Sequence, residues 1–309
     1  MGQGSAAAAA LWVVGGMALI AVSDNFIALV ADRMGLWQFQ VLRAATILPP
    51  VLAVALATGR LRLLMPRSAW RIAVRSLLAI VALMMYFTAL PAVSIAVAAA
   101  GLFTSPLWVV LFSAVLYGER VGRERLMGAV IGFAGVCVVL GVGAEPIRPM
   151  AVLAVAGGAF YALSVIWTRR QCASETAICM SFWQFVGFIA LGGLGLAALP
   201  LLQGALGGVE GAAFVTRPWV APDAEMLGLA FLIGASGIAA TTCIATGYRS
   251  ADASFIGIFD FSFLVWAPMV SWLLWGEVQP LRVVLGMVLI VLAGVLAMSS
   301  GRRWRRAAA

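Results

Sequence analysis

Ten apolar segments follow one another along the chain: 8–30, 36–58, 74–92, 93–117, 124–142, 150–169, 176–200, 226–247, 251–275 and 281–300. Each approaches or exceeds the roughly 20 residues that a helix needs to cross the hydrocarbon of a bilayer. In lipid every backbone N–H and C=O must be satisfied within the segment, and a helix does this. The predicted fold class is therefore an all-α integral membrane protein with ten transmembrane helices. Local signals set two of the breaks: Pro91 followed by Ser94 divides the third and fourth spans, and Ser250 with Asp252 opens the ninth.

Composition excludes the main alternatives. Of 309 residues, 64% are hydrophobic and 10% charged. A soluble enzyme of this size needs far more polar surface than that. The chain has neither Lys nor His. A phosphate-binding Gly-x-x-x-x-Gly-Lys loop is therefore excluded, and no constellation of acid, base and nucleophile suggests an enzyme. No cofactor is expected. Cys137, Cys172, Cys179 and Cys243 lack metal-ligand spacing and read as small apolar or interfacial residues.

Every basic residue is Arg, and the formal net charge is +8. The arginines lie in short stretches between apolar runs, unlike the continuous basic face of a nucleic-acid binder. With the N-terminus in the cytoplasm, fifteen arginines fall on that side (60, 62, 67, 71, 75, 120, 123, 125, 169, 170, 249, 302, 303, 305 and 306). Only Arg33, Arg148, Arg217 and Arg282 fall on the other. The positive-inside rule then places both termini in the cytoplasm. Met1–Ala10 lacks the basic region of a signal peptide, so the first run is expected to be a retained span. The longest outer loop, about 201–225, reads as a solvated connector.

The chain also repeats. At an offset of 158 residues Phe103 meets Phe261, Trp108 meets Trp266, Ser113 meets Ser271, and Leu116 meets Leu274. The same register joins Gly118-Glu119 to Gly276-Glu277 and Gly128 to Gly286. Residues 1–147 and 148–309 are accordingly expected to be two five-span halves. Five is odd, so the second half enters the membrane upside down. Inverted repeats that share a site at their interface are the architecture of alternating-access carriers.

Two such halves, with Ser105-Pro106-Leu107, Leu116-Tyr117-Gly118-Glu119-Arg120, Gly128 and Gly132-Phe133-Ala134-Gly135 in the first and Leu274-Trp275-Gly276-Glu277, Gly286, Leu289-Ile290 and Gly294 in the second, resemble the EamA-type drug/metabolite transporters. Asp24 and Arg43 resemble a branch that includes S-adenosylmethionine carriers and amino-acid exporters. The resemblance implies a ten-helix carrier of the bacterial inner membrane that moves small metabolites without ATP. It implies no single substrate.

Most charges lie at segment ends, but Asp24, Arg43 and Asp260 lie inside, where a charge costs about 3 kcal/mol on insertion scales and marks function by default. Helical rise puts Asp24 and Arg43 about 10 Å below the outer surface, on antiparallel neighbours, and Asp260 about 14 Å deep. Asp24 and Arg43 are expected side by side, either as a fixed ion pair between helices or as a gate and substrate-docking pair. In the second reading the guanidinium fork takes a carboxylate or phosphate. Asp260, whose repeat mate is Leu102, is expected to couple protons or recognise a cation; the alternative is a carboxyl satisfied by a neighbouring Ser or Thr. Gln38 and Gln40 lie near the outer end of the second span. Tyr86, Thr104, Ser105, Tyr161, Gln184, Thr241 and Thr242 lie deeper. Trp108, Trp183 and Trp266 offer flat surfaces for stacking or cation–π contact, or simply pack. Pro106 and Pro268 can bend the fourth and ninth spans for gating, or stand as static kinks. Glu119 and Glu277 read as loop-fixing groups at helix ends.

The leading expectation is a secondary carrier, an exporter, for a small polar metabolite such as an amino acid or related amine. The alternatives are an S-adenosylmethionine or other metabolite importer or exchanger, a channel-like facilitator, and a non-transporting scaffold. The expected partners are the bilayer, a small-molecule substrate and protons.

Overall fold

The computed structural model describes residues 3–93, 95–118, 123–140, 149–172, 174–206, 208, 212–250 and 259–293, and the described residues form helices and connections without strands. In chain order the helices are α1 (Gln3–Asn25), α2 (Ile27–Arg33), α3 (Leu36–Ala57), α4 (Ala69–Ala89), α5 (Ile95–Leu102), α6 (Ser105–Tyr117), α7 (Arg123–Leu140), α8 (Pro149–Gln171), α9 (Ala177–Ala197), α10 (Leu199–Leu206), α11 (Ala213–Thr216), α12 (Ala224–Ser250), α13 (Phe263–Trp275) and α14 (Leu281–Ala293). Six segments are long and apolar enough to cross a membrane: 8–33, 36–57, 69–89, 150–168, 177–197 and 224–244. Shorter apolar helices lie at 130–139, 263–275 and 281–293.

The polarity of the molecule is inverted relative to a soluble protein. Val115, Leu201, Val278 and Leu281 are each more than 70% exposed, whereas Gln38, Gln40 and Asn25 are at most 1% exposed. An apolar exterior of this extent needs a lipid solvent. The chain is a multi-pass membrane protein.

Contacts between the two halves dominate the packing. α1 lies against α12, α4 against α8, and α3 against α9. α5 touches α13, and α7 meets α14 where Gly135 and Gly286 face each other's carbonyl oxygens. Small residues permit the close approaches. A methyl on Gly16 would lie 2.9 Å from the Ala240 carbonyl oxygen, and one on Gly157 would lie 2.9 Å from that of Ala82. Without a hydrophobic drive between helices in lipid, such backbone proximity supplies the van der Waals attraction.

Interruptions in three spans bear on the candidate site and depart from the sequence expectation of unbroken helices. The first span breaks at Phe26, between α1 and α2. The fourth breaks at Phe103–Thr104, between α5 and α6. The ninth has a turn at 261–262 between the helical residues 259–260 and α13. The last two breaks coincide at the 158-residue offset. Thr104 Oγ1 donates to the Gly101 carbonyl at 2.7 Å, satisfying a group the broken helix frees. Pro106 is the second residue of α6, where a missing N–H costs no helical bond. The span therefore breaks before Pro106 and does not bend at it. Pro268 lies within α13 as expected.

The duplicated Gly-Glu pair also has a physical basis. Gly118 and Gly276 have φ of 64° and 67°, the left-handed conformation that ends a helix at least cost in glycine. Their N–H groups close the same bond in each half, to Ala114 and Trp272. Glu119, Arg120, Ser94, Asp252, the 147/148 boundary and the arginines at 302–306 lie outside the described residues.

Candidate functional site

Asp24 is the penultimate residue of α1, immediately before the first break. It is 5% exposed and accepts a 2.8 Å hydrogen bond from the Tyr86 hydroxyl of α4. Asn25 holds the broken end: its Nδ2 donates to the Ala21 carbonyl at 2.8 Å and to the Ala267 carbonyl of α13 at 3.4 Å. The break thus serves to present Asp24 and to tie α1 to the helix of Pro268.

Arg43, two turns into α3 and 5% exposed, stands inside a box of aromatic rings. Its guanidinium carbon lies 4.2 Å from the Phe188 centroid, 4.7 Å from Phe87, 5.2 Å from Phe39 and 5.5 Å from Phe185. These rings come from α3, α4 and α9. Ring quadrupoles stabilise a desolvated cation by about 2 kcal/mol, which is how a charge is tolerated here. Four rings surround the guanidinium carbon, no hydrogen bond from Arg43 is seen among the described residues, and its Nε is buried without a partner. One turn earlier, Gln40 is fully buried with both amide atoms unpartnered.

Of the two readings of Asp24 and Arg43, the fixed ion pair is not seen among the described residues. The salt bridge present among the described residues is Arg33–Glu225, at 2.5 Å between exposed groups. Arg43 and Asp24 interact through space, but the partner touching Asp24 is Tyr86. Helix depth alone put the acid and the arginine level; rotation about the two axes turned one toward α4 and the other into the phenylalanines.

A second polar group gathers toward the N-terminal end of α4. Arg75, half-buried, donates through Nη1 to Gln184 Oε1 at 2.5 Å and to the Met180 carbonyl of α9 at 3.3 Å. Tyr161 of α8 lies within electrostatic reach of both Arg75 and Asp260. Asp260 immediately precedes the turn at 261–262, so both acids picked out by sequence flank helix interruptions. Arg75 was counted with the orientation charges of the loop and so was missed. The signal was its position: six residues into α4, with Ile72 and Ser76 beside it both buried.

The remaining candidates lie elsewhere. Trp183 donates to the Leu64 carbonyl at 2.8 Å, at the loop joining α3 to α4. Trp108 donates to Thr104 Oγ1 at 3.1 Å and stacks on Phe112. Trp266 packs against the core formed by α1, α7, α13 and α14. Thr104 is buried at the α5–α6 break. Thr241 and Thr242 return their hydroxyls to carbonyls one turn back in α12. Glu277 accepts from Ser271 Oγ at 2.5 Å. The 201–225 segment is exposed over most of its described residues, as a solvated connector is, but it is anchored at a few points. Phe214 and Val215 are buried, the Val215 carbonyl accepts from Trp37, and Arg217 bonds to the Asp32 carbonyl. Gln38 pairs with both backbone atoms of Val220, at 2.6 and 3.0 Å. Trp37 and Gln38 at the start of α3, and the Asp32 carbonyl of α2, supply these anchors.

Residues 7–141 match the EamA-like transporter family. The chain is 27% identical over 238 residues to a riboflavin transporter of Rhizobium johnstonii, covering 77% of this chain and 72% of that protein. It is 29% identical to a riboflavin transporter of Vibrio cholerae, covering 62% and 58%. It is 31% identical to the aromatic amino acid exporter YddG of Ancylobacter novellus, covering 61% and 60%. One solved crystal structure superposes with a TM-score of 0.63 over 96% of this chain and 99% of its own, at 21% identity, which shows a shared fold. The first part of the chain is thus similar to the EamA-like transporter family, and the transporters named above align with between 61% and 77% of it.

Proposed function

We propose that this chain is a secondary carrier of the bacterial inner membrane, with both termini in the cytoplasm. Ten spans form two inverted halves, 1–147 and 148–309, that expose a central polar chamber to each side in turn. Its cargo is a small polar metabolite of the amino-acid or amine class, and export is the direction. The observation that carries the reading is Arg43: a buried guanidinium surrounded by four phenylalanines, with its Nε unpartnered. The helix breaks in the same register at 103–104 and 261–262 support the repeat. Discontinuous helices are where carriers of this architecture place their sites.

Within that class the reading favours a cargo with an oxygen acceptor for the Arg43 guanidinium and a flat unsaturated ring. The named relatives carry riboflavin or aromatic amino acids, and both cargoes answer that description. Asp24, held by Tyr86, takes the cationic or N–H-bearing end, and Asp260 is the proton-coupling group.

The test is uptake by proteoliposomes of L-tryptophan, L-phenylalanine, riboflavin, S-adenosylmethionine and putrescine, with and without a pH gradient. Saturable, counterflow-competent uptake of a ring-bearing substrate, lost in R43M, is the expected result. Flux that does not saturate would establish a facilitator instead. If Asp260→Asn leaves stimulation by the pH gradient intact, the coupling role of Asp260 is wrong.

A further inference from the structure

Two arginines within the helices, Arg43 and the half-buried Arg75, have quite different surroundings. Arg43 is held by rings, whereas Arg75 is held by hydrogen bonds that a ligand can replace. Arg75 and Tyr86 are eleven residues apart on α4, close to three full turns, so both project from one face, about 16 Å apart along the axis. At the Tyr86 level the neighbours are Asp24 and Arg43. At the Arg75 level they are Gln184 and Tyr161, with Asp260 acting through space on Tyr161. The geometric contacts of Arg75 are the Gln184 amide and the Met180 carbonyl, both of α9. Arg75 comes from the first half of the chain, and its partners come from the second.

We infer that Arg75 forms a second binding station, which takes the oxygen acceptor of the cargo on the side of the membrane where α4 begins, with the Gln184 amide oxygen holding that place when no cargo is bound. The inference rests on the carrier reading above and adds a site to it. Gln184 Oε1 is a neutral acceptor, and a carboxylate or an imide carbonyl binds the same N–H in its stead. A charged acceptor bonds a guanidinium about twice as strongly as a neutral one, and can do so bidentately. Nε of Arg75, buried and without a hydrogen-bond partner, supplies the second prong that the amide does not fill. Because Arg75 and Gln184 belong to different halves, their separation changes when the halves move. Cargo arriving at Arg75 therefore competes with a contact between the halves, which couples its binding to their movement.

The test compares wild type, R75Q, R75K and Q184L in proteoliposomes, with L-tryptophan and riboflavin as probes presented at each face in turn. R75Q should raise KM about tenfold or more at the face carrying the loop between α3 and α4, the loss expected for one charge-assisted hydrogen bond. Its KM at the opposite face should change less than about threefold. R75K should recover part of that loss, keeping the charge without the fork. Q184L, which frees Arg75 of its competitor, should lower KM at the same face. An unchanged KM in R75Q, or an equal rise at both faces, overturns the second station while the carrier reading stands. Should R75Q fail to fold, a Q184L KM that rises or stays the same overturns it alone. Wild-type protein that accumulates neither probe overturns the proposed cargo class, and the station with it.

Discussion

Tyr86 and Asp24 are joined by a 2.8 Å hydrogen bond between residues that are 2% and 5% exposed. The bond ties α4 to the broken end of α1. A hydrogen bond to a charged group inside a protein contributes about 1.5–3 kcal/mol. Tyr86→Phe should lower the unfolding free energy by roughly that amount. Asp24→Asn keeps an acceptor for the hydroxyl and should retain nearly all the stability while losing transport. Thermal unfolding in detergent, set beside proteoliposome uptake, separates the two outcomes. Equal transport by wild type and D24N would remove Asp24 from the cargo path.

The ring box around Arg43 makes a different demand. Lys carries the charge but has no plane to stack, and its ammonium is more strongly hydrated. Arg43→Lys should therefore destabilise the chain by about 1–2 kcal/mol, close to the stabilisation of a desolvated cation–π contact. Arg43→Met removes the buried charge and fits the same volume; it should match or exceed wild-type stability, because replacing a buried ion by an apolar isostere is often neutral or favourable. Stability gained with transport lost, read by the same two assays, is the signature of a residue retained for function.

Sequence reading reached as far as length, apolarity and period allow. The apolar segments, the recurring Gly-Glu pair and the charges placed within helices at 24, 43 and 260 were visible, because each can be read along the chain. Contacts across helices were not. Asp24 pairs with Tyr86 through the rotation of α1 and α4, which no spacing encodes. The break at Phe26 carries no Gly or Pro; its trace is Asn25, a residue whose amide competes for backbone carbonyls. Arg75 was hidden by the rule that fixes orientation, which assigns an arginine near a segment end to the loop. The docking of 201–225 was hidden by its glycines, which read as a linker although Phe214 and Val215 join the core.

Gly192 and Gly193 are adjacent on α9 and should respond in opposite directions. A methyl on Gly192 would lie 2.8 Å from Val41 Cγ2 and 2.9 Å from the Trp37 carbonyl oxygen, whereas one on Gly193 meets nothing within 4 Å. Gly192→Ala forces α9 away from α3 and should cost about 1–3 kcal/mol, the range for overpacked sites. Gly193→Ala replaces the poorest helix former other than Pro at a site with space, and should stabilise by up to about 1 kcal/mol. Thermal unfolding of the two variants decides this, and a shared sign would show that the α3–α9 contact is not tight.

Glu175 closes the connection between the halves beside the start of α4. It is 7% exposed, and its two carboxylate oxygens accept from the backbone N–H groups of Arg67 and Ser68, at 3.0 and 2.9 Å. Those donors lie just before the first helical residue of α4, where unpaired N–H groups and the positive end of the helix dipole both favour an anion. Thr176 Oγ1 donates to the Leu63 carbonyl at 2.6 Å in the same contact. Glu175→Ala orphans both N–H groups and should cost about 1–2 kcal/mol, as the loss of a cap does. Glu175→Gln keeps one acceptor and should cost less. Hydrogen exchange at the amides of Arg67 and Ser68 should quicken in E175A, less in E175Q, and not at all at Val220, which Gln38 holds at the other end of the molecule. Equal exchange in all three proteins would mean that the loop, and not the carboxylate, protects those amides.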